Sequence, residues 1–145
     1  MDDVRLMLQQ MYRRLGLLNK NCCSVGGQEL SLIQSQILYE IDRQHQRSMQ
    51  QIAATLGVEI TAFSHQIQTL IRKNLVAKHA SESDKRVYVL TLTTEGKFVA
   101  TVIDEQITGY LNQIFASMSE TDKNSVIQGL RILNESMEKL PVCCG

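Results

Sequence analysis

The chain has 145 residues, of which 43% are hydrophobic, and its 15 basic residues balance its 15 acidic ones. This composition excludes a low-complexity disordered chain and is typical of one folded domain, residues 1–145. No apolar run approaches the length of a membrane span and no basic-then-apolar leader opens the sequence, so we expect a cytoplasmic protein.

Two amphipathic helices are predicted in the first third of the chain. The first runs from about Asp2 to Asn19 and the second begins at the N-cap Ser31, with a loop at 21–27 between them. The first helix carries one wide apolar stripe, formed by Val4, Leu8, Met11, Leu15 and Leu18. A stripe at a chain terminus needs a surface to cover it, and a partner subunit is a natural candidate.

A helix-turn-helix is predicted next. Ser48 is the N-cap of a short helix that ends at Gly57, because glycine readily takes the left-handed conformation there. A further helix spans 61–74, and the small side chain of Ala53 suits two helices that approach closely.

The hydrophobic period then changes to that of strands. Residues 75–79 and 86–91 are rich in β-branched types and flank a polar turn at 80–85, which predicts a two-stranded hairpin, or wing. Helical periodicity returns from Thr94, and a last helix starts near Ser119 and ends at Pro141. The predicted fold is mainly α: a winged helix-turn-helix with a two-stranded β wing at 31–93, and N- and C-terminal dimerisation helices at 1–22 and 94–140.

Charge is distributed unevenly along the chain. Residues 60–90 hold five basic against two acidic residues, a net +3, whereas 91–145 hold four basic against seven acidic, a net −3. A basic middle segment fits a localised phosphate-binding surface, although on charge alone an ordinary solvated patch fits as well.

The order of elements and several segments resemble the MarR family of transcription regulators over nearly the whole chain. The matching segments are Leu56-Gly57-Val58, Leu70-Ile71-Arg72-Lys73-Asn74-Leu75-Val76, Asp84-Lys85-Arg86 and Leu90-Thr91-Leu92-Thr93-Thr94-Glu95-Gly96. In that family a D-x-R motif of the wing precedes an L-T-x-x-G-like helix opening, and both stand here at the corresponding separation. The family's usual glycine before the Leu-Val pair is Asn74 here, and asparagine also tolerates the left-handed conformation.

The resemblance implies a triangular homodimer built from the first and last helices of both subunits. It also implies binding to a pseudo-palindromic DNA operator, usually as a repressor that is released by a ligand or by oxidation.

The second helix of the helix-turn-helix is the expected recognition helix, which presents polar side chains to the major groove. Its outward candidates are Thr61, Ser64, His65, Gln66, Gln68 and Thr69. Arg72 and Lys73 lie later on the helix and are expected to hold the DNA backbone. For each single position, a merely solvated helix face is the alternative.

Arg86 is the strongest candidate in the wing, because an arginine at a wing tip can enter the minor groove, where negative potential is focused. Asp84 lies on the same side of an extended segment and can pair with Arg86 and orient it, which matches the roles of these positions in the family. The alternative is an ordinary surface ion pair. Lys78 and Lys85 are expected to add phosphate contacts.

The four cysteines form two adjacent pairs, Cys22-Cys23 and Cys143-Cys144, and none sits on a predicted core stripe of a helix. Neighbouring cysteines rarely bridge each other and bonding between the pairs is easier, and four cysteines allow three connectivities in all. In the resembled architecture the pairs could meet within or across subunits. Their thiolates could bind a soft metal or metalloid ion, or an oxidant could join them in a disulfide. Alternatively the thiols are incidental and the signal is a small aromatic or phenolic ligand.

Other classes of protein find less support in the sequence. A Gly-rich phosphate loop, H-E-x-x-H and G-x-S-x-G are missing, as is a C-x-x-C motif beside a βαβ unit, so we expect no enzymatic activity. His45, His65 and His79 are expected to be surface or DNA-facing residues. A helical adaptor that does not bind DNA is the remaining alternative; it would not need a basic hairpin and should show no salt-dependent DNA affinity.

Overall fold

A computed structural model of the chain describes residues 3–16, 23–45 and 47–143. The chain divides into two compact units, Met1–Glu105 and Gln106–Gly145. The elements in chain order are α1 (Val4–Arg14), β1 (Cys23–Val25), β2 (Gln28–Leu30), α2 (Leu32–Arg43), α3 (Met49–Leu56), α4 (Ile60–Arg72), β3 (Val76–Ala80), β4 (Tyr88–Leu92), α5 (Thr94–Ala116) and α6 (Glu120–Met137). The mainly α fold with a two-stranded wing is confirmed.

Helix starts follow the capping signals of the sequence. The side chains of Ser31 and Ser48 each accept a hydrogen bond from the backbone N–H three residues on, that of Gln34 and of Gln51. The side-chain oxygens of these glutamines accept in turn from the backbone N–H of the serines, which completes two capping boxes. Ser119 caps α6 by accepting a hydrogen bond from the backbone N–H of Asp122, without the reciprocal bond of a capping box. These three predicted starts are therefore confirmed. An N-cap of this kind is worth about 1 kcal/mol.

The predicted loop at 21–27 is wrong in its described part, because residues 23–30 form a hairpin. Cys23 pairs with Leu30 and Val25 with Gln28 in antiparallel register. The turn residues Gly26 and Gly27 have φ of +55° and +82°, as a two-residue type I′ turn requires. The Gly26-Gly27 pair between two short runs of non-glycine residues is the sequence pattern that could have predicted this hairpin.

The hydrophobic core of the first unit lies between α2, α3, α4, the start of α5 and the two hairpins. Its largest fully buried side chains are Phe63, Leu30, Ile37, Leu38, Ile52, Ile67, Leu70, Leu75, Leu90 and Val99. On α4, Phe63 is fully buried whereas Ile71 is exposed.

Helix α1 is shorter than predicted, and most of its apolar side chains are exposed in the single chain. Val4, Met7 and Met11 on the helix and Leu15 at its C-cap face solvent, whereas Leu8 is half-buried. Leu18, the last residue of the predicted stripe, lies outside the described residues.

The apolar side chains of the second unit are also exposed to solvent. Among its described residues, 106–143, none is buried. Large apolar side chains of α5 and α6 are between 38% and 54% exposed, namely Ile107, Tyr110, Leu111, Val126, Leu130, Ile132, Leu133 and Met137. Within the described part of the chain, no helix is long and apolar enough to cross a bilayer.

Candidate nucleic-acid interface

The predicted helix-turn-helix is formed by α3 and α4, which pack against each other across a tight turn. Gly57 caps α3 with φ +67°, and the N–H of Val58 donates to the carbonyl of Ala53 at 3.0 Å. The left-handed residue lets the chain reverse within three residues, so that α4 starts immediately.

Helix α4 has one buried and one exposed side. Phe63, Ile67 and Leu70 are buried in the core. The opposite side, at helical spacings of four, three and four residues, is an exposed polar line formed by Thr61, His65, Gln68 and Arg72. We call these four residues the polar line of α4; they include three of the six predicted base-reading candidates.

Gln66 was wrongly placed on the outward side. It is half-buried, and its side-chain oxygen accepts a hydrogen bond from Gln34 Nε2 at 3.1 Å. Gln34 is fixed in turn, because its own oxygen accepts from the backbone N–H of Ser31. The capping box of α2 thus turns Gln66 towards α2. Ser64 is also half-buried, on the flank of the helix.

Arg72 and Thr69 form a short chain of hydrogen bonds along α4. Arg72 Nη2 donates to Thr69 Oγ1 at 3.1 Å, and Thr69 Oγ1 donates to the carbonyl of His65 at 3.2 Å. This arrangement directs the guanidinium of Arg72 back along the helix, while Thr69 itself remains half-exposed.

Helix α4 ends in a Schellman motif. Asn74 has φ +61°, as predicted for the position where relatives have glycine. The N–H of Leu75 donates to Leu70 and that of Asn74 donates to Ile71. Lys73, a predicted phosphate contact, donates instead from Nζ to the carbonyl of Glu29 at 2.7 Å.

The start of α5 is hydrogen-bonded to the residues that follow α4. Thr93 Oγ1 donates to the carbonyl of Asn74 at 2.7 Å and accepts from the N–H of Gly96. The N–H of Thr93 donates to the carbonyl of Leu75. The T-x-x-G segment therefore has a structural explanation: threonine caps α5 while binding the exit of α4, and glycine leaves room for the Leu75 carbonyl.

The wing is the antiparallel hairpin β3–β4, and its tip carries the predicted Asp84–Arg86 pair. Arg86 Nε donates to Asp84 Oδ1 at 3.1 Å and Nη2 donates to Oδ2 at 3.2 Å, a bidentate geometry. The segment is a turn and not extended as predicted, since the N–H of Val87 donates to the Asp84 carbonyl. The Arg86 side chain remains 90% exposed, so the pair orients the guanidinium without covering it.

Electrostatics at the wing tip follow from this geometry. The side-chain hydrogen bonds from Arg86, together with its backbone N–H, hold the pKa of Asp84 below its usual range. The carboxylate therefore stays charged throughout the neutral range and keeps Arg86 in place.

The remaining wing cations are exposed. Lys78 Nζ lies 4.4 Å from the centroid of the Tyr88 ring, a cation–π contact, and Lys85 lies in the turn. His79 is exposed and its Nε2 lies 2.7 Å from Thr91 Oγ1. His45 and His65 are exposed as well.

Arg47 was missed by sequence reasoning. It pairs with Glu40 of α2 at 2.8 Å, and it also bonds to the Gln51 carbonyl and Thr55 Oγ1 of α3. Both charges of the ion pair are largely buried, at 15% and 19% exposure. An arginine in a polar loop gives no periodic signal, so only the fold brings these partners together.

The cysteine pairs are described in part. Cys23 lies on β1 and is half-buried against the core, whereas Cys143 is exposed near the C-terminus. Cys22 and Cys144 lie outside the described residues. Within the described ranges, no group of three or more His, Cys, Asp or Glu side chains could hold a metal ion.

Comparison with family models confirms the resemblance. Residues 28–87, which include the hairpin strand β2, the helix-turn-helix and the wing tip, match the model described as MarR family. The winged-helix portion of the chain is therefore similar to the MarR family, whose members are transcription regulators and not enzymes. Comparison with curated proteins by sequence finds no match.

Solved structures share the fold at low sequence identity. FabT of Streptococcus pneumoniae, solved in complex with DNA, is 21% identical with a TM-score of 0.86, covering 95% of this chain and 97% of that one. CouR, a transcriptional repressor bound to a 23-mer DNA duplex, is 19% identical with a TM-score of 0.73 and covers 89% of each chain. The reduced form of MarR from E. coli is 18% identical with a TM-score of 0.72, covering 92% and 96%.

Proposed function

We propose that this MarR-family chain is a homodimeric DNA-binding transcription regulator that acts as a repressor at a pseudo-palindromic operator. The observation that carries the proposal is the wing tip, where Asp84 holds the exposed guanidinium of Arg86 in a bidentate pair. An isolated surface ion pair of this kind adds little stability, so its value lies in presenting an arginine. The DNA complexes of FabT and CouR support the proposal.

The polar line of α4 is the second part of the proposed DNA surface. Gln68 can bond to adenine and Arg72 to guanine or to phosphate, while Thr61 and His65 lie nearer the helix start. Ser64 and Thr69 flank this line and remain candidates for contacts with bases or phosphates. Lys78 and Lys85 would neutralise phosphates beside the minor groove that Arg86 enters.

A second copy of the chain is the proposed cover for the exposed apolar surfaces. The described part of 106–143 contains no buried residue, yet α6 places Val126, Leu130, Leu133 and Met137 on one face. Helix α1 adds an uncovered apolar face of its own. A two-fold dimer would place two recognition helices about one turn of DNA apart, which a pseudo-palindromic operator requires.

DNA binding is tested by selecting duplexes from a random library with the full chain, and by titrating upstream DNA from its own gene. We expect tight binding that weakens steeply with salt. Arg86→Met should weaken it, whereas Lys139→Met, an equal change of charge on the acidic segment, should not. Absence of binding to any duplex at low salt would contradict the proposal and favour the helical adaptor. Transcription from a promoter that contains the selected site should fall when the protein is added.

We further propose that the cysteine pairs read the release signal, either as ligands of a soft metal or metalloid ion or as an oxidant sensor. Exposed Cys143 is accessible to both kinds of reagent. Cys23 packs against the core, so modification at this pair would disturb the hairpin β1–β2. In the oxidant version, two thiols give one disulfide, and hydrogen peroxide takes their two electrons and two protons to form water.

The release signal is tested on the reduced protein bound to its selected duplex. Arsenite, zinc and hydrogen peroxide are added separately, to the wild type and to Cys22→Ser/Cys143→Ser. We expect one additive to release the wild type and to leave the double variant bound. Release of both proteins alike would contradict thiol sensing. A complex that ignores all three additives would favour a small aromatic or phenolic ligand, with incidental thiols.

A further inference from the structure

The hairpin β1–β2 is bonded to the C-terminal end of the recognition helix. Lys73 Nζ donates to the carbonyl of Glu29 at 2.7 Å, and Gln28 Nε2 donates to the carbonyl of Lys73 at 3.4 Å. One residue of the helix end is thus held by two neighbouring residues of β2, once through its side chain and once through its backbone.

The hairpin is itself fixed in the fold. Val25 and Leu30, one from each strand, are buried in the core. The strands are joined by a turn with two positive-φ glycines, which sets their register. A bond to this hairpin therefore ties the helix end to the core and not to a loose loop.

The carbonyls at this helix end need partners from outside the helix. The Schellman motif satisfies Leu70 and Ile71, and Thr93 satisfies Asn74. The carbonyl of Lys73 is satisfied by Gln28. The hairpin thus supplies one of the partners that fix where α4 ends.

We propose that the hairpin β1–β2 is a brace that positions the recognition helix for DNA, and that Lys73 is a positioning residue of this brace and not a phosphate contact. This inference rests on the proposed function, because it assigns a role within the same DNA-binding unit. Lys73 differs from the cations of the proposed surface: it is half-buried, whereas Arg72, Lys78 and Lys85 are exposed. To reach a phosphate, its ammonium group would have to leave the Glu29 carbonyl.

Salt dependence separates the two roles of Lys73. A lysine that neutralises one phosphate contributes about 0.9 to the slope of log K against log salt concentration. Lys85→Met, a matched exposed lysine of the wing, should reduce the slope by about this amount. Lys73→Met should weaken binding of the selected duplex several-fold while the slope stays within about 0.3 of the wild type. A slope reduced as in Lys85→Met would overturn the proposal.

A double-mutant cycle provides the second readout. Gln28→Ala breaks the brace from the hairpin side without changing the charge, so it should weaken DNA binding as well. If both residues act through the brace, the loss in the double variant should differ from the sum of the two single losses. Additive losses would show that Lys73 acts independently of the hairpin, and would also overturn the proposal.

Amide hydrogen exchange tests the brace without DNA. Lys73→Met should speed exchange in 23–30, whereas Lys85→Met should leave these amides unchanged. Unchanged exchange in Lys73→Met would contradict the brace itself. If the wild type bound no duplex at all, the proposed function would fail, and the exchange data would still decide whether Lys73 holds the hairpin.

Discussion

Gly96, in the first turn of α5, lies so close to Leu75 that a Cβ atom at position 96 would stand 1.9 Å from the Leu75 carbonyl oxygen. The obstacle is backbone, which cannot move aside as a flexible side chain can. The recognition helix and α5 therefore share a junction that accepts only glycine at this position.

Gly96→Ala is expected to lower the free energy of unfolding by at least about 2 kcal/mol, because the new methyl group would push α5 away from the exit of α4. Urea denaturation followed by circular dichroism measures the change. Gly109→Ala in the same helix is the matched control, since a Cβ there meets nothing within 4 Å. The control should be neutral or stabilised by up to about 1 kcal/mol. Equal destabilisation by both variants would argue against the close contact.

Removal of Arg86 should raise the pKa of Asp84. In the wild type this pKa is lowered, so the pair persists as the pH falls below the ordinary range of aspartate and is lost only as the pH falls through the lowered value. Arg86→Met should return the Asp84 carboxyl towards its ordinary pKa, as measured by carbon NMR of the carboxyl. An unchanged titration would show that Arg86 does not hold Asp84 in solution.

Asp84→Asn should weaken DNA binding even though it removes a negative charge from the wing. The loss follows because the guanidinium of Arg86 is then no longer oriented by two hydrogen bonds. Affinity for the selected duplex is the measurement, and Glu82→Gln, at the exposed wing tip, is the matched control. Binding that is tightened equally by both variants would indicate that only net charge matters at the tip.

Leu130→Lys should convert the proposed dimer to a monomer, since it places a charge in the middle of the apolar face of α6. Sedimentation velocity measures the change at micromolar concentration. Asn124→Lys adds the same charge on the exposed polar side of α6 and should remain a dimer. A wild-type chain that sediments as a monomer would contradict the dimer directly.

Arg47→Met should destabilise the winged-helix unit by about 1–3 kcal/mol, because it leaves the largely buried carboxylate of Glu40 without its partner. Arg47→Met/Glu40→Gln should recover part of this loss, since no charge is then left unpaired. Thermal unfolding of the three proteins gives the comparison. A double variant less stable than Arg47→Met would show that Glu40 has another role.

Local signals explain what the sequence could predict. The N-cap serines act through side-chain hydrogen bonds to residues three positions on, and Gly57 and Asn74 act through their own left-handed backbone conformation, so these roles were predictable from the sequence alone. The Asp84–Arg86 pair was also predicted, although the segment is a turn and not extended.

Long-range contacts explain what the sequence could not predict. Gln66 faces α2 because Gln34, 32 residues away, donates to it. Lys73 donates a hydrogen bond to the carbonyl of Glu29, 44 residues earlier, and no local sequence pattern predicts that contact. The proposed role of each polar residue on α4 thus depends on neighbours that only the folded chain supplies.

The stacking of Lys78 on Tyr88 makes the wing suitable for optical measurement. The chain contains no tryptophan, so Tyr88→Trp would create a single-tryptophan protein whose indole lies on the exposed wing beside a cation. Tryptophan offers the best aromatic face for a cation, so the contact with Lys78 should be kept. When DNA phosphates draw the ammonium group of Lys78 away, the fluorescence of the indole should change. Binding of the wing to DNA could then be followed by intrinsic tryptophan fluorescence, without an attached dye.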